Sequence, residues 1–190
     1  MDYSTDFPYL TEKQVCVMMG QGGGSVLKIV KNMAKFPFGQ MMELYAGTNA
    51  ATAREQFPEL SEYESLYRVE MDFYRYLRYD FFTMGDSFYA IWMEDSRPVS
   101  ALRFERWKDG WLLEGLETHP EYRGKGYAVR VMEAAVEVLT EPVYAHVAKD
   151  NDASLRVHEK CGFVPRADTA LINGNYDKRF VTLMKEKSHG

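Results

Sequence analysis

The stretch Thr118-His119-Pro120-Glu121-Tyr122-Arg123-Gly124-Lys125-Gly126-Tyr127-Ala128 decides how this 190-residue chain is to be read. Upstream of it, Trp111 to Thr118 reads as a strand. Downstream, Tyr127 to Thr140 places Ala128, Val131, Met132, Ala135, Val138 and Leu139 on one helical face. A strand therefore enters, a glycine-bearing turn follows, and a helix begins at once. The amides of Lys125, Gly126, Tyr127 and Ala128 become the unpaired donors of a helix N-terminus. Such a cup suits a phosphate or pyrophosphate, through its aligned N–H groups and the positive end of the helix dipole. Gly124 and Gly126 let a ligand come close to the backbone, and Arg123 and Lys125 add charge. The same residues also make an ordinary strand-to-helix turn carrying a solvated basic pair.

Working outward toward the C-terminus, Pro142 ends the helix before a strand, Val143 to Ala148. A short helix from Asp152 to Lys160 stops at Gly162, and Thr169 to Ile172 with Arg179 to Lys185 reads as a final strand pair. Toward the N-terminus, Ser87 to Met93, Val99 to Trp107 and Trp111 to Thr118 form three antiparallel strands, the last two joined by the Asp109-Gly110 pair of a tight hairpin. Pro58 to Phe82 carries Tyr63, Leu66, Tyr67, Phe73, Tyr74, Leu77 and Phe81 at helical spacing. That aromatic stripe is expected to be mostly core and partly the wall of an acceptor site. Ser25 to Lys35 is expected to be a helix and Met41 to Ala46 a short strand, while Thr11 to Met18 fits either a helix or a strand.

The later segment Asn151-Asp152-Ala153-Ser154-Leu155-Arg156-Val157-His158-Glu159-Lys160-Cys161-Gly162-Phe163 completes a pair of motifs. Together the two segments resemble the GNAT superfamily of acyl-CoA-dependent N-acyltransferases. Arg123-Gly124-Lys125-Gly126-Tyr127-Ala128 fits that family's Arg/Gln-x-x-Gly-x-Gly/Ala loop, and the Asn151 to Phe163 segment fits its later helix at the expected spacing. The resemblance covers about residues 86–185. It implies an α/β fold with a mixed, mostly antiparallel sheet whose fourth and fifth strands, Trp111 to Thr118 and Val143 to Ala148, splay apart. Pantetheine would lie between them, pairing with the main chain near Leu116 and Thr118. Arg123, Gly124, Lys125, Gly126, Tyr127 and Ala128 would hold the pyrophosphate, with Asn151 and Ser154 also on the cofactor. The resemblance implies acetyl-CoA or another short acyl-CoA as co-substrate, no metal, and direct acyl transfer to a primary amine in a ternary complex. The domain would span residues 40–190, with residues 1–39 an N-terminal extension packed on it.

Two positions carry the proton chemistry. An ammonium is not nucleophilic, so a carboxylate that holds it and takes its proton is required, and Glu114 lies where amine-acetylating members carry one. Its alternative is a solvated strand carboxylate or a partner for Arg103 or Arg106 on the neighbouring strand. Glu117 would face the other side of a regular strand, unless a bulge reverses it. His158 stands where the family has a tyrosine that protonates the leaving thiolate, and imidazole, titrating near ~6.5, would be largely neutral at pH 7.5. Its alternative is a buried histidine packed on its helix. His146 is a third candidate, with a structural role as its alternative, and Cys161 is expected in the core.

Composition narrows the classes. Lys and Arg total 23 against 28 Asp and Glu, for a net charge of −5, and residues 1–85 hold 8 basic and 11 acidic groups, so neither half is a basic arm. That balance argues against binding through phosphate neutralisation and for a cationic amine partner rather than nucleic acid. The longest uncharged run, Gln14 to Leu27, has 14 residues, below the ~18 of a membrane span. With no basic leader and two cysteines, a cytoplasmic monomer or homodimer acting on a small molecule is expected. Two rival readings remain: a non-catalytic CoA-binding or sensory module, and a dinucleotide-binding unit built on Gly20-Gln21-Gly22-Gly23-Gly24-Ser25 with Glu43 as its distal acid.

Overall fold

The computed structural model describes residues 24–172 and 174–186. Its centre is a seven-stranded sheet in the order β1-β2-β3-β4-β5-β9-β6. These are β1 (Val26–Val30), β2 (Ser87–Glu94), β3 (Arg97–Trp107), β4 (Gly110–Thr118), β5 (Val143–Ala148), β6 (Val164–Ala167) and β9 (Phe180–Lys185), while β7 (Ala170–Ile172) and β8 (Asn175–Asp177) form a separate hairpin. Every pairing in the sheet is antiparallel except β4 with β5. The mixed α/β architecture is the expected one.

Helices α1 (Phe38–Gln56) and α2 (Glu62–Tyr79) cover one face, and α3 (Tyr127–Glu137) with α4 (Asp152–Lys160) cover the other. Each face has its own core. Tyr89, Ile91 and Ala101 meet Met41, Leu44, Tyr45 and Leu77 on one side. Phe88, Leu102, Phe104, Leu113 and Ala145 meet Val131, Met132 and Ala135 on the other. The alternation along the strands, period two, divides the two sets.

Three elements differ from expectation. Val26 to Val30 is a strand paired with β2, not a helix begun by Ser25. Its β-branched residues suit a pleated edge, and Ser25 Oγ instead donates to Glu94 Oε2 at 2.5 Å. Met41 to Ala46 lies inside α1, not in a strand. Met41, Tyr45, Asn49 and Ala53 are buried at a spacing of four, a period that a six-residue window hides. Arg179 to Lys185 does not pair with Thr169 to Ile172. β9 joins β5 and β6, and Ala170 to Ile172 turns back on β8.

The aromatic helix starts at Glu62, behind a capping box in which Glu64 N donates to Ser61 Oγ and Ser61 N donates to Glu64 Oε2. Of its stripe, Leu77 is buried and Phe73 and Tyr76 pack on the core, but Tyr63 is 78% exposed and Tyr67 stacks beside it. The stripe is core only in its second half. No helix among the described residues is long and apolar enough to cross a membrane. The segment Thr11 to Met18 and the glycines Gly20 to Gly23 lie outside the described residues. The strand and helix that a dinucleotide unit would need after them are interchanged, which removes that rival.

Candidate functional site

β4 and β5 run side by side for only three pairs, Trp111 with Val143, Leu112 with Tyr144 and Leu113 with Ala145. Beyond Leu113 they part. The cause lies on the β3 side of β4: Arg103 pairs with Glu114 and Ala101 with Glu117, so β4 carries one extra residue between the two pairs. The bulge is accommodated at Gly115, whose φ is +60°, and its carbonyl accepts from the Tyr45 hydroxyl of α1 at 3.0 Å. Glu114 and Glu117 consequently share the α1/α2 face, as the bulge alternative for Glu117 required. Thr48 of α1 donates to Glu117 Oε2 at 2.6 Å.

The parting leaves a cleft of about 330 Å³, a volume in the range of small-ligand sites. Leu116, Thr118, Arg123, Ala128, Asn151 and Ser154, six residues expected on a cofactor, line it together. Glu117, Ala153 and Val157 line it as well, and sequence reasoning did not place them there. For Val157 a signal was present, since it lies three residues after Ser154 on α4 and so one turn along the same face.

At one end of the cleft Gly126 is the N-cap of α3, with φ +83° and no side-chain hydrogen bond to the helix amides. Gly124 is left-handed too, at φ +76°, and a Cβ at either glycine would meet no atom within 4 Å. An open, uncapped helix end walled by glycine is the shape a diphosphate needs, so the residues present fit the CoA that the sequence implies. Beneath the loop Tyr122 stacks edge-on with Tyr127 and His119, and Lys125 Nζ lies 4.9 Å over the Tyr122 ring. Burial, then the neighbouring Glu94 carboxylate, raises the Tyr127 hydroxyl above its ordinary range.

Arg123 is folded back. Its Nε donates to Thr118 O at 3.1 Å and its Nη2 to Glu117 Oε1 at 3.0 Å, in an exposed pair worth about 0–1 kcal/mol. Asn151 caps α4 by accepting from Ser154 N at 3.0 Å. Its side chain shapes the cleft through that helix end.

On the α1/α2 face, Arg103 Nη2 donates to Glu114 Oε2 at 3.2 Å, so Glu114 has the cross-strand partner that the sequence offered as its alternative. Burial pulls the Arg103 guanidinium down, but Tyr89 and Glu114 outweigh it and its proton is held more firmly than usual. Burial, then the Glu114 charge, lifts the Glu105 carboxyl, and burial pushes Tyr76 to about 12.

His158 is 2% exposed in the last turn of α4, and its ring meets Phe163 edge-on at 5.1 Å. Its Nδ1 lies 2.8 Å from Ser154 O. A carbonyl can only accept, so Nδ1 bears the hydrogen. Nε2 is buried without a hydrogen-bond partner among the described residues. Burial lowers its pKa, partly offset by that backbone bond. Cys161 is buried in the core, where burial lifts its thiol to about 11.

Comparison with known proteins fits this geometry. A model of the acetyltransferase (GNAT) family matches residues 51–163. A spermidine N(1)-acetyltransferase from Vibrio cholerae is 32% identical over 65 residues, which is 30% of this chain and 38% of that protein's length. Among solved structures, the PaiA N-acetyltransferase from Thermoplasma acidophilum in complex with coenzyme A superposes with a TM-score of 0.55 at 17% identity, covering 84% of this chain and 98% of that one. A GNAT acetyltransferase from Bacillus anthracis does so at 0.53 and 19% identity, covering 84% and 94%. At these identities the two structures share the fold.

Proposed function

The chain belongs to the acetyltransferase (GNAT) family, and from that premise we propose that it moves an acetyl or other short acyl group from acyl-CoA to a primary amine of a small molecule. The observation that carries the proposal is the uncapped, glycine-walled N-terminus of α3 opening onto the cleft where β4 and β5 part. The N–H groups at the start of α3 take the diphosphate, and Gly124 and Gly126 give it room. Main-chain groups at Leu116 and Thr118, left unpaired with β5, meet the pantetheine arm. The co-substrate supplies an activated thioester. A polyamine or other small cation as acceptor is supported by the spermidine acetyltransferase relative and by the net charge of −5. A cytoplasmic setting suits a reaction that uses acyl-CoA.

Glu114 holds the acceptor's ammonium and draws off its proton, from the α1/α2 face opposite α3 and α4. The thiolate of a thiol with pKa near ~8.5 is a modest leaving group that departs with limited help. His158 would donate a proton to it only as imidazolium, the form that burial disfavours. With Nδ1–H given to Ser154 O, its Nε2 presents a lone pair and no hydrogen. In this reading His158 braces α4 against the cleft.

Titration calorimetry tests the binding half of the proposal. Gly126→Leu puts a side chain where the diphosphate is to lie, and CoA affinity is expected to fall about tenfold or more, a loss of ~1.4 kcal/mol or greater. Undiminished CoA binding by a folded Gly126→Leu protein would place the diphosphate elsewhere.

A further inference from the structure

Thr118 ends β4 at the rim of the cleft, and side chains take both of its main-chain polar groups. Its N–H donates to Glu117 Oε1 at 3.2 Å, and its carbonyl accepts from Arg123 Nε at 3.1 Å. Arg123 Nη2 closes the circuit by donating to Glu117 Oε1 at 3.0 Å. A guanidinium presents its N–H groups as a fixed fork, so one residue reaches the carbonyl and the carboxylate together. The two partners are not equally free. The Glu117 side chain is 18% exposed and is held from its other oxygen, where Thr48 of α1 donates to Oε2 at 2.6 Å. The Arg123 side chain is 56% exposed, on a stem with many rotamers. Lys125, the other cation of the loop, lies over the Tyr122 ring at 4.9 Å.

The same guanidinium has a second destination. Arg123 precedes Gly126, the open N-cap of α3, by three residues, on the loop that is to receive a diphosphate. A diphosphate carries more charge than one carboxylate, and Arg pairs with phosphate oxygens through the same fork. We propose that Glu117 and Arg123 form an internal latch over the edge of β4 at Thr118, released by a ligand that brings a diphosphate to the loop. The proposal rests on the reading of the cleft as an acyl-CoA site. With Arg123 drawn to the diphosphate, the Thr118 carbonyl is free for the pantetheine arm, and Thr48 keeps Glu117 in place. Each half of the co-substrate then helps the other. The diphosphate uncovers the strand edge, and pantetheine on that edge keeps Arg123 from returning, a coupling that is reciprocal by thermodynamic necessity.

The latch sorts ligands. Pantetheine without a diphosphate must displace Arg123 from Thr118 O and gives the guanidinium nothing in exchange. A diphosphate without pantetheine releases Arg123 but leaves the strand edge bare. Intact CoA does both. Glu117 and Arg123 are thereby specificity-determining residues, and the penalty they place on pantetheine alone is about two- to fivefold, the span that an exposed ion pair supplies.

Titration calorimetry with two probes, CoA and pantetheine, tests the latch, because one substitution is expected to move them in opposite directions. Arg123→Ala takes the guanidinium from both destinations, so CoA affinity should fall while pantetheine affinity rises about two- to fivefold. Glu117→Gln keeps an acceptor for Thr48 and for Thr118 N but drops the charge, so Arg123 is released and CoA should bind about two- to fivefold more tightly. Pantetheine binding that Arg123→Ala weakens or leaves unchanged overturns the latch, as does CoA binding that Glu117→Gln fails to strengthen. The parent protein gives a further readout that needs no variant to fold. Salt screens the exposed pair, so affinity for pantetheine, which carries no charge, should rise with KCl while affinity for CoA falls. A pantetheine affinity that is flat or falling with KCl contradicts the latch. Failure of the parent to bind CoA overturns the cofactor reading, and the latch with it, whereas CoA binding with these signs reversed overturns the latch alone.

Discussion

Two imidazoles, each with a buried Nε2, are held by different surroundings. His146 lies between strands, its Nδ1 3.2 Å from the Thr182 hydroxyl of β9 and its ring edge-on to Trp107 of β3. His158 faces the ring of Phe163, and its Nδ1 contacts close on its own helix, at Ser154 O at 2.8 Å and Ser154 Oγ at 3.3 Å. Its folded pKa is lowered by burial. Between that value and the ~6.5 of the unfolded chain, the unfolded state binds a proton that the native state does not. Stability from this group is therefore complete above about pH 6.5 and is lost as pH falls through the folded pKa. Thermal melts of the parent protein and of His158→Phe across pH 8 to 5 check this: the parent's Tm should fall more steeply than the variant's below about pH 6.5. Parallel melting curves would mean that His158 is not held neutral. In the same variant kcat should stay within a few-fold of the parent's, since in the proposed reading the thiolate leaves without a proton from this ring.

At the scale of elements, the bulge in β4 does two things at once. It ends the pairing with β5, which opens the cleft, and it brings Glu117 onto the face of Glu114. Gly115 permits it, with φ +60° and a position at which a Cβ would stand 2.6 Å from Arg103 Nη1. Gly115→Ala should cost about 1–2 kcal/mol for the left-handed backbone alone, and more once Arg103 is displaced from Glu114. Denaturant unfolding measures that loss, and unchanged stability would show that the strand rebuilds without the bulge. How far these elements could be read beforehand follows from the range of their causes. The α3 cup and the start of α4 at Asp152 are local, written in residues three to five apart, and both were legible; the cap that Asn151 makes on that helix was not read. Most of the C-terminal half was legible for the same reason, but not the partner of Phe180 to Lys185, which joins β5 and β6 rather than Ala170 to Ile172. β1 and α1 were not, because Val26 to Val30 becomes a strand through pairing with β2 some sixty residues away, and the helical period of α1 emerges only over Met41 to Ala53. Ser25 looked like a helix cap because a serine follows the glycines, but its hydroxyl donates to Glu94 of β2. The surroundings of Glu114 were half legible: its partner Arg103 was foreseen, while the bond from Tyr45 to Gly115 O comes from α1, whose helical period was not.

For the whole molecule, the sheet divides the labour. In the proposed reading the α3/α4 side offers amides and glycines to an anion and the α1/α2 side offers carboxylates to a cation, on either side of the gap between β4 and β5. The most direct measurement is thiol release from acetyl-CoA by the purified protein across polyamines, amino acids, aminoglycosides and peptides, with the acetylated product identified by mass. Turnover on at least one small primary amine, rising with pH as the amine deprotonates, is the predicted result. Tight CoA binding with no thiol released on any amine would contradict the account and leave a CoA-binding module in its place.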